Sequence, residues 1–265
     1  MYTSSVLRPI LAVLVVLLLV TTVYYVETSR QGRERCGELV VYAAIATQKP
    51  LNEIVELFES ENCIDVTIIY EASGKLLSIL ELSKKGDIYI SADPYYMDIA
   101  VRKGLVDKNS VSRIASLKLA VIIPKSNPAN ISSLYDLTKP GVRVGIAEES
   151  TVAVGRYTKK LLTSLGIYEE VKKNVVVYAS NFGHLMNLVM TNSVDAIIGW
   201  SIGYCWYPNE TLAIEVDSIE SSSSYIVGGV TTFSENIEGS REFLSYISSP
   251  RVENIWKQYC YGVSR

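Results

Sequence analysis

From residue 39 onward, short β-branched runs alternate with longer runs whose apolar positions repeat at helical spacing. The first unit is an apolar strand ending in small residues, 39–47, followed by a helix over 50–60 that opens on Pro50. The pattern predicts further strands at residues 66–70, 87–91, 117–123, 142–146, 175–178, 196–200, 214–216 and 225–230. It predicts further helices at residues 75–84, 94–103, 132–137, 154–165, 183–191, 240–247 and 251–259. Such alternation is typical of an α/β protein with mainly parallel sheets flanked by helices.

The N-terminal pattern is different. Residues 9–26 form an almost uninterrupted apolar run, and about 20 such residues suffice to cross a bilayer. No convincing small-x-small cleavage site follows, which favours an uncleaved signal anchor over a signal peptide for residues 1–26. Residues 27–36 are polar and without periodicity, which predicts a linker. The chain is therefore expected to be tethered to the cell membrane by residues 9–26, or secreted if that segment is removed.

Size and charge narrow the function classes. The chain has 265 residues, of which 48% are hydrophobic, and can bury one large core or two medium ones. Its net charge is −3, and no cluster of Lys and Arg interleaves with aromatic residues, so we expect no nucleic-acid partner. The single histidine, His184, argues against a histidine-based zinc site or a catalytic triad.

The cysteines favour an oxidising compartment. There are four, an even number, and no Cys-x-x-Cys motif occurs. Asn130 and Asn209 head glycosylation sequons, which also favours the outside of the cell, although the arginines around the apolar run would place the domain inside. Four cysteines allow three pairings. Cys36 and Cys63 flank the first strand–helix unit at the same end, so we expect the disulfides Cys36–Cys63 and Cys205–Cys260; four reduced thiols are the alternative.

One device recurs where predicted strands end. Small and hydroxyl residues open a helix at Ser73, at residues 148–155 and at residues 179–183, as they do after the first strand. Helix starts present unpaired N–H groups and a partial positive charge, and ligands of open α/β sheets bind where strand carboxyl ends meet them. A fully deprotonated oxyanion has only acceptors, so neutral donors suit it and carboxylates do not. Glu71, Glu148 and Glu149 are therefore expected to point outward.

Six motifs in order carry a family resemblance. They are VYAAIA at 41–46, YEASG at 70–74, GDIYISAD at 86–93 with Met97 and Asp98, LTKPGVRVG at 137–145, VGRY at 154–157 and DAIIGW at 195–200. With them, the chain from about residue 39 to 262 resembles the molybdate/tungstate-binding proteins of ABC importers.

The resemblance implies a two-lobed, class II periplasmic-binding-protein-like fold, each lobe a mainly parallel sheet flanked by helices, after an N-terminal membrane segment. Residues 37–122 and 225–265 would form lobe 1, and residues 123–224 lobe 2. It also implies a monomeric, extracytoplasmic binding protein that captures molybdate or tungstate and delivers it to an ABC permease and its ATPase. Such a protein is not an enzyme and needs no cofactor.

The resemblance also implies a set of ligand-binding residues. The expected backbone donors are the N–H groups of Ala46, Ser73, Val154 and Phe182. The expected side-chain donors are Thr47, Ser73 and Trp200. Ala46 stands where the family commonly has serine, so Thr47 next to it would supply the missing hydroxyl. Trp200 stands where the family has a tyrosine, and its indole N–H would replace the phenol.

Some archaeal relatives add two carboxylates that make the metal of the oxyanion six-coordinate. The matching positions here are Val152 and Gly199, which cannot ligate, so we expect a four-coordinate oxyanion held by hydrogen bonds and no protein-coordinated metal cation.

Three other functions stay open from the sequence. The same fold could hold sulfate, or a small organic acid stacked on Trp200; phosphate is disfavoured because its proton requires an acceptor such as a carboxylate. An enzyme would need an activated nucleophile, and no base is spaced to serve Ser73, while Asp93 before Pro94 is expected to cap a helix. A membrane-anchored sensor or adhesion module is the third.

Overall fold

The computed structural model describes residues 37–216 and 222–263, together with Val15, Leu17 and Thr21. The chain divides into two compact units, Met1–Cys36 and Gly37–Arg265. Apart from those three positions, the predicted anchor at 1–26 and the predicted linker at 27–36 lie outside the described residues. Within the described residues, every helix is too short or too polar to span a bilayer.

The second unit alternates strands and helices. The strands are β1 Gly37–Ala44, β2 Ile64–Glu71, β3 Ile88–Ser91, β4 Ser112–Pro124, β5 Val144–Ala147, β6 Val175–Ala179, β7 Ala196–Trp200, β8 Thr211–Glu215 and β9 Ser223–Val230. The α-helices are α1 Gln48–Glu61, α2 Ser73–Ser83, α3 Pro94–Arg102, α4 Ala153–Ser164, α5 Tyr168–Lys172, α6 Phe182–Met190, α7 Ile202–Trp206, α8 Ile237–Ile247 and α9 Glu253–Gln258.

The strands form one sheet of order β2-β1-β3-β9-β4-β7-β5-β6, with β8 paired to β4. Pairs β1–β2, β1–β3, β5–β6 and β5–β7 are parallel, and every pair that includes β4 or β9 is antiparallel. Strand β4 pairs with β9 over residues 112–118 and with β7 and β8 over residues 119–124. The chain thereby passes along β4 from one side of the sheet to the other.

We call the β1, β2, β3 and β9 side the first lobe, and the β5, β6, β7 and β8 side the second lobe. Helices α1, α2, α3, α8 and α9 pack on the first, and α4 to α7 on the second. The inner strands β3, β5 and β7 are buried at every position, whereas the edge strands β2 and β6 are partly exposed. Burial on both faces is the reason that the inner strands are continuous apolar runs. The residue limits predicted for the lobes remain a prediction.

The predicted α/β order is confirmed, with local differences. Strand β4 begins at Ser112, five residues before the predicted start at 117. The predicted helix at 132–137 is a 3-10 turn, Leu134–Thr138, and the last predicted helix divides into a 3-10 turn, Pro250–Val252, and α9. Helices α5 and α7 were not predicted, because five residues are too few to show a helical period.

One predicted disulfide is confirmed. Cys205 in α7 and Cys260 after α9 are bonded, with their Cα atoms 6.2 Å apart. The bond therefore joins the second lobe to the first. Cys63 is also disulfide-bonded, and its predicted partner Cys36 lies outside the described residues.

Candidate functional site

A small cavity lies between the two lobes, at the carboxyl ends of the inner strands. Its lining residues are Ala44, Ile45, Ala46, Glu71, Ala72, Ser73, Ala92, Val152, Ala153, Val154, Phe182 and Trp200. The space open to the centre of a water molecule is about 10 Å³, which is room for roughly one water. Five of the six predicted ligand residues therefore line one cavity, although they come from both lobes. Thr47 is the exception.

Each of four cavity residues sits where a helix starts. Ser73 is the first residue of α2, Phe182 the first of α6 and Val154 the second of α4. Ala46 belongs to the 3-10 turn Ile45–Thr47, which runs directly into α1. The first N–H groups of a helix have no intrahelical acceptor and lie at the positive end of its dipole. The cavity thus collects neutral donors from four segments far apart in the sequence.

Ser73 is held by its own lobe. Its Oγ accepts a hydrogen bond from the Ala92 N–H at 3.1 Å, and its carbonyl accepts one from the buried Tyr89 hydroxyl at 2.8 Å. Among the described residues, no acceptor is recorded for the Ser73 hydroxyl proton. The side chain is therefore fixed in place and can still donate one hydrogen bond into the cavity.

Thr47 does not supply the hydroxyl that the sequence suggested. Its side chain is fully buried, and its Oγ1 donates to the Ala44 carbonyl at 2.7 Å. This local bond uses the only proton of the hydroxyl, and Thr47 is absent from the cavity lining. At this corner Ala46 offers its backbone alone, and its carbonyl accepts a hydrogen bond from Tyr261.

Trp200 ends β7 and is 1% exposed. Its ring packs against Tyr157, with the ring centroids 5.5 Å apart. Among the described residues, no acceptor is recorded for its indole N–H. Burial raises the pKa of the Tyr157 hydroxyl. Tyr157 is thus an uncharged side chain that packs against Trp200.

Glu71 fits only in part the expectation that the acidic residues point outward, because its side chain is 30% exposed while the residue lines the cavity. It lines the cavity, where its Oε1 accepts from the Ala72 N–H at 2.8 Å and from the Asn181 Nδ2 at 2.9 Å. Lys75 Nζ lies 3.6 Å from the other carboxylate oxygen, Glu71 Oε2. Glu148 and Glu149 are exposed, as expected, and Glu149 pairs with Lys159 at 2.8 Å.

Asn181 is a site residue that the sequence did not reveal. Its Oδ1 caps α6 by accepting from the His184 N–H at 2.8 Å, and its Nδ2 reaches across to Glu71. One amide therefore orients the helix start that bears Phe182 and connects the two lobes. The only signal in the sequence was an asparagine just before a predicted helix, which is typical of a cap and says nothing about its second partner.

The cavity is shut by contacts between the lobes. The Gly74 N–H donates to the Thr151 carbonyl at 2.9 Å, and the Tyr96 hydroxyl donates to the Ser150 carbonyl at 3.1 Å. Arg156 Nε donates to Asp93 Oδ2 at 2.9 Å, and its guanidinium lies 3.7 Å from the Tyr95 ring centroid. These contacts define a closed arrangement of the lobes.

Asp93 has the structural role predicted for it. Its Oδ1 caps α3 by accepting from the Tyr95 N–H at 2.9 Å, while its other oxygen accepts from Arg156. The carboxylate is buried and fully engaged by these two partners. Within the described residues, no group of three or more His, Cys, Asp and Glu is placed to hold a metal ion.

Known proteins resemble the chain over most of its length. The family model described as bacterial extracellular solute-binding protein matches residues 39–262. The chain is 23% identical to the molybdate-binding protein ModA of Escherichia coli (strain K12) over 233 residues, 86% of this chain and 90% of that protein. It is 26% identical over 167 residues to a putative binding protein of Haemophilus influenzae, 62% of this chain and 66% of that protein.

Solved structures share its fold. The periplasmic molybdate-binding protein of Azotobacter vinelandii superposes with a TM-score of 0.74 at 16% identity, over 86% of this chain and 100% of that one. The sulfate-binding protein SubI of Mycobacterium tuberculosis H37Rv superposes with a TM-score of 0.76 at 12% identity, over 85% of this chain and 86% of that one. At these identities the likeness shows the two-lobed α/β fold.

Proposed function

The chain belongs to the family of bacterial extracellular solute-binding proteins, and we propose that its solute is a doubly charged tetrahedral oxyanion. Molybdate is the preferred candidate, and tungstate is the next. The observation that carries this proposal is the meeting of four helix starts at one small cavity between the lobes. The names of the E. coli and A. vinelandii relatives, both molybdate-binding, support the choice of ion.

The proposed donors are all neutral. They are the backbone N–H groups of Ala46, Ser73, Val154 and Phe182, the Ser73 hydroxyl and the Trp200 indole N–H. Hydrogen bonds to a charged acceptor contribute about 1.5–3 kcal/mol each. Because the donors come from both lobes, only the closed arrangement offers all of them to the same ion.

Closure follows from this division of donors. An ion that makes more hydrogen bonds in the closed state than in the open one shifts the population toward closure. A tetrahedral ion of four oxygens is larger than one water, so its binding requires the cavity walls to move slightly outward from their positions here, while the contacts that join the lobes are kept. The closed, loaded protein would then be the form that an ABC permease and its ATPase recognise.

Family membership supports a location outside the cytoplasm and a role as a binding protein rather than as an enzyme. Tethering to the cell membrane by residues 9–26, and action as a monomer, belong to the same proposal. Both are supported by the apolar run in the sequence and by a cavity that a single chain completes.

Titration calorimetry with molybdate, tungstate, sulfate and phosphate tests the proposed ligand. We expect tight binding of molybdate and tungstate and much weaker binding of the other two. Equal affinity for sulfate would move the assignment to a general dianion site. Silence toward all four would overturn the oxyanion proposal and favour a small organic acid packed on Trp200.

Glu71 favours a second candidate, a protonated phosphate or a phosphate ester. A carboxylate in the lining opposes a fully deprotonated ion but can accept the proton of a hydrogen phosphate. Lys75 and two hydrogen bonds already engage this carboxylate, and for that reason we rank the candidate second. Tight phosphate binding that disappears in Glu71→Gln would establish it.

A further inference from the structure

The Cys205–Cys260 disulfide connects the lobes next to the cavity. Cys205 lies in α7, which begins two residues after the cavity residue Trp200. Cys260 follows α9 of the first lobe and is separated from Cys205 by 55 residues. The lobes are otherwise joined by strand β4 and by the segment between β8 and β9. The disulfide is therefore a third covalent connection.

The residue after Cys205 contacts the cavity wall in the second lobe. The Trp206 ring lies edge-to-face on Phe182, with the centroids 5.7 Å apart. The Trp206 carbonyl accepts a hydrogen bond at 2.7 Å from Lys49 of the first lobe, whose ammonium lies 4.1 Å from the Tyr207 ring centroid. Trp206 is thus hydrogen-bonded to the first lobe through Lys49, and its ring packs on Phe182 at the start of α6.

The residue after Cys260 contacts the cavity wall in the first lobe. Tyr261 is 3% exposed, and its hydroxyl donates to the Ala46 carbonyl. Its ring packs edge-to-face on Trp256, with the centroids 5.0 Å apart. Next to it, Gly262 exchanges two backbone hydrogen bonds, of 2.6 and 3.1 Å, with Ser116 at the start of β4. Tyr261 is therefore fixed on both sides.

We propose that the disulfide, Trp206 and Tyr261 form a positioning unit that holds the Phe182 and Ala46 backbones at the spacing of the closed cavity and limits how far the lobes open. As a claim about the ligand, this rests on the proposed oxyanion function. A protein held near its binding-competent state loses less affinity to reorganisation than one that opens widely. Because Ala46 has no side-chain hydroxyl, it can bind the ion only through its backbone N–H, and its contribution depends on where that backbone is held.

Two variants separate the parts of this unit. Cys205→Ser/Cys260→Ser removes the covalent connection, and Tyr261→Phe keeps the disulfide and the ring but removes the hydrogen bond to Ala46. Tyr259→Phe is the matched control: it lies on the same segment, and its hydroxyl bonds Glu53 of its own lobe at 3.2 Å.

Stopped-flow measurement of molybdate release tests the ligand claim. We expect release to be about tenfold faster in Cys205→Ser/Cys260→Ser and about three- to tenfold faster in Tyr261→Phe, with Tyr259→Phe within about twofold of the parent. Release rates that match the parent in both test variants would overturn the positioning role. If the cysteine variant does not fold, Tyr261→Phe decides the question by itself.

Small-angle X-ray scattering of the ligand-free protein tests the limit on opening without any ligand. We expect a larger radius of gyration for Cys205→Ser/Cys260→Ser than for the parent, and no change for Tyr259→Phe. Equal radii would show that the disulfide does not restrain the lobes. If the parent binds none of the four oxyanions, the proposed function fails, and this comparison still decides whether the disulfide limits opening.

Discussion

At the residue scale, Ser73 is the side chain on which the proposed oxyanion binding depends most directly. It is fixed by Ala92 and Tyr89, and its proton remains for a ligand. We expect Ser73→Ala to weaken molybdate binding by about 1–3 kcal/mol, because one charge-assisted hydrogen bond is lost. Calorimetry measures the change. Ser78→Ala on the same helix removes a hydroxyl that donates to the Gly74 carbonyl and should leave affinity unaltered; equal losses in both variants would show a packing effect.

Glu71 allows a prediction of opposite sign. Glu71→Gln keeps an oxygen that can accept from Ala72 and Asn181 but removes a negative charge from the cavity lining. Since like charges repel, we expect molybdate to bind about threefold tighter or more. The control is Glu81→Gln, which removes an exposed carboxylate paired with Lys103. Weaker molybdate binding in Glu71→Gln alone would mean that the carboxylate supports the site chiefly through its charge.

Single residues also show where prediction from sequence stops. Ser73, Val154, Phe182 and Trp200 were proposed from the family resemblance, and the structure brings them to one cavity; their roles as ligands remain predictions. Thr47 was wrong as a cavity hydroxyl, because a carbonyl three residues away competes for the same proton. Asn181 was missed because its partner Glu71 lies 110 residues away.

At the element scale, the start of α2 packs directly against the second lobe. A Cβ on Gly74 would come within 2.8 Å of the Thr151 Cα and carbonyl oxygen. We therefore expect Gly74→Ala to prevent full closure and to weaken molybdate binding at least about tenfold. The fold should remain stable, since alanine suits a helix better than glycine by about 1 kcal/mol.

Calorimetry together with scattering of the molybdate-loaded protein checks the effect of Gly74→Ala. Leu82→Ala, at a position 86% exposed on the same helix, is the control and should bind normally. Unchanged affinity in Gly74→Ala would mean that Thr151 can move to make room for the added methyl group, and that the close contact between Gly74 and Thr151 is not needed for closure.

The 3-10 turn Leu134–Thr138 gives a prediction about pH. A salt bridge to Lys139 and hydrogen bonds from the Ser132 N–H and hydroxyl and the Ser133 N–H hold the pKa of Asp136 well below its ordinary value. A depressed pKa stabilises the folded state above the unfolded value of about 3.9, and this contribution is lost as pH falls further.

Urea unfolding of Asp136→Asn between pH 7 and pH 3 measures this contribution. We expect the parent to lose more stability than the variant as the pH falls below about 4. Asp98→Asn, an exposed position on α3, should follow the parent. Parallel curves for the parent and Asp136→Asn would contradict the link between this carboxylate and acid stability.

The boundaries of an element were predictable where all of its residues are buried and apolar. Strand β7 was predicted at its observed limits, Ala196–Trp200, because all five positions are buried and apolar. The first part of β4 was missed because Ser112, Arg113 and Ser116 interrupt the apolar pattern. That part is a strand because it pairs with β9, more than 100 positions later, and no local period reports such pairing.

At the scale of the whole molecule, the order of motifs was more informative than any one of them. It implied two lobes, whereas the strand pattern alone indicated only an α/β protein. The contacts that close the cavity were not accessible from sequence. Asp93–Arg156, Tyr96–Ser150 and Gly74–Thr151 each join residues of different lobes that are more than 50 positions apart in the sequence.

The disulfide between the lobes gives the last prediction, on global stability. Cys205 and Cys260 close a loop of 55 residues in the unfolded chain, and the loss of such a constraint costs about 4 kcal/mol in the chain-entropy model. We expect the urea midpoint of Cys205→Ser/Cys260→Ser to fall, with a somewhat larger denaturant slope, because the unfolded chain without the cross-link exposes more surface. Saturating molybdate should stabilise parent and variant alike, by about 2.7 kcal/mol at a hundred times the dissociation constant of each. A stability loss well under 1 kcal/mol would mean that the reduced unfolded chain is already compact in this region, and that the disulfide acts on lobe opening alone.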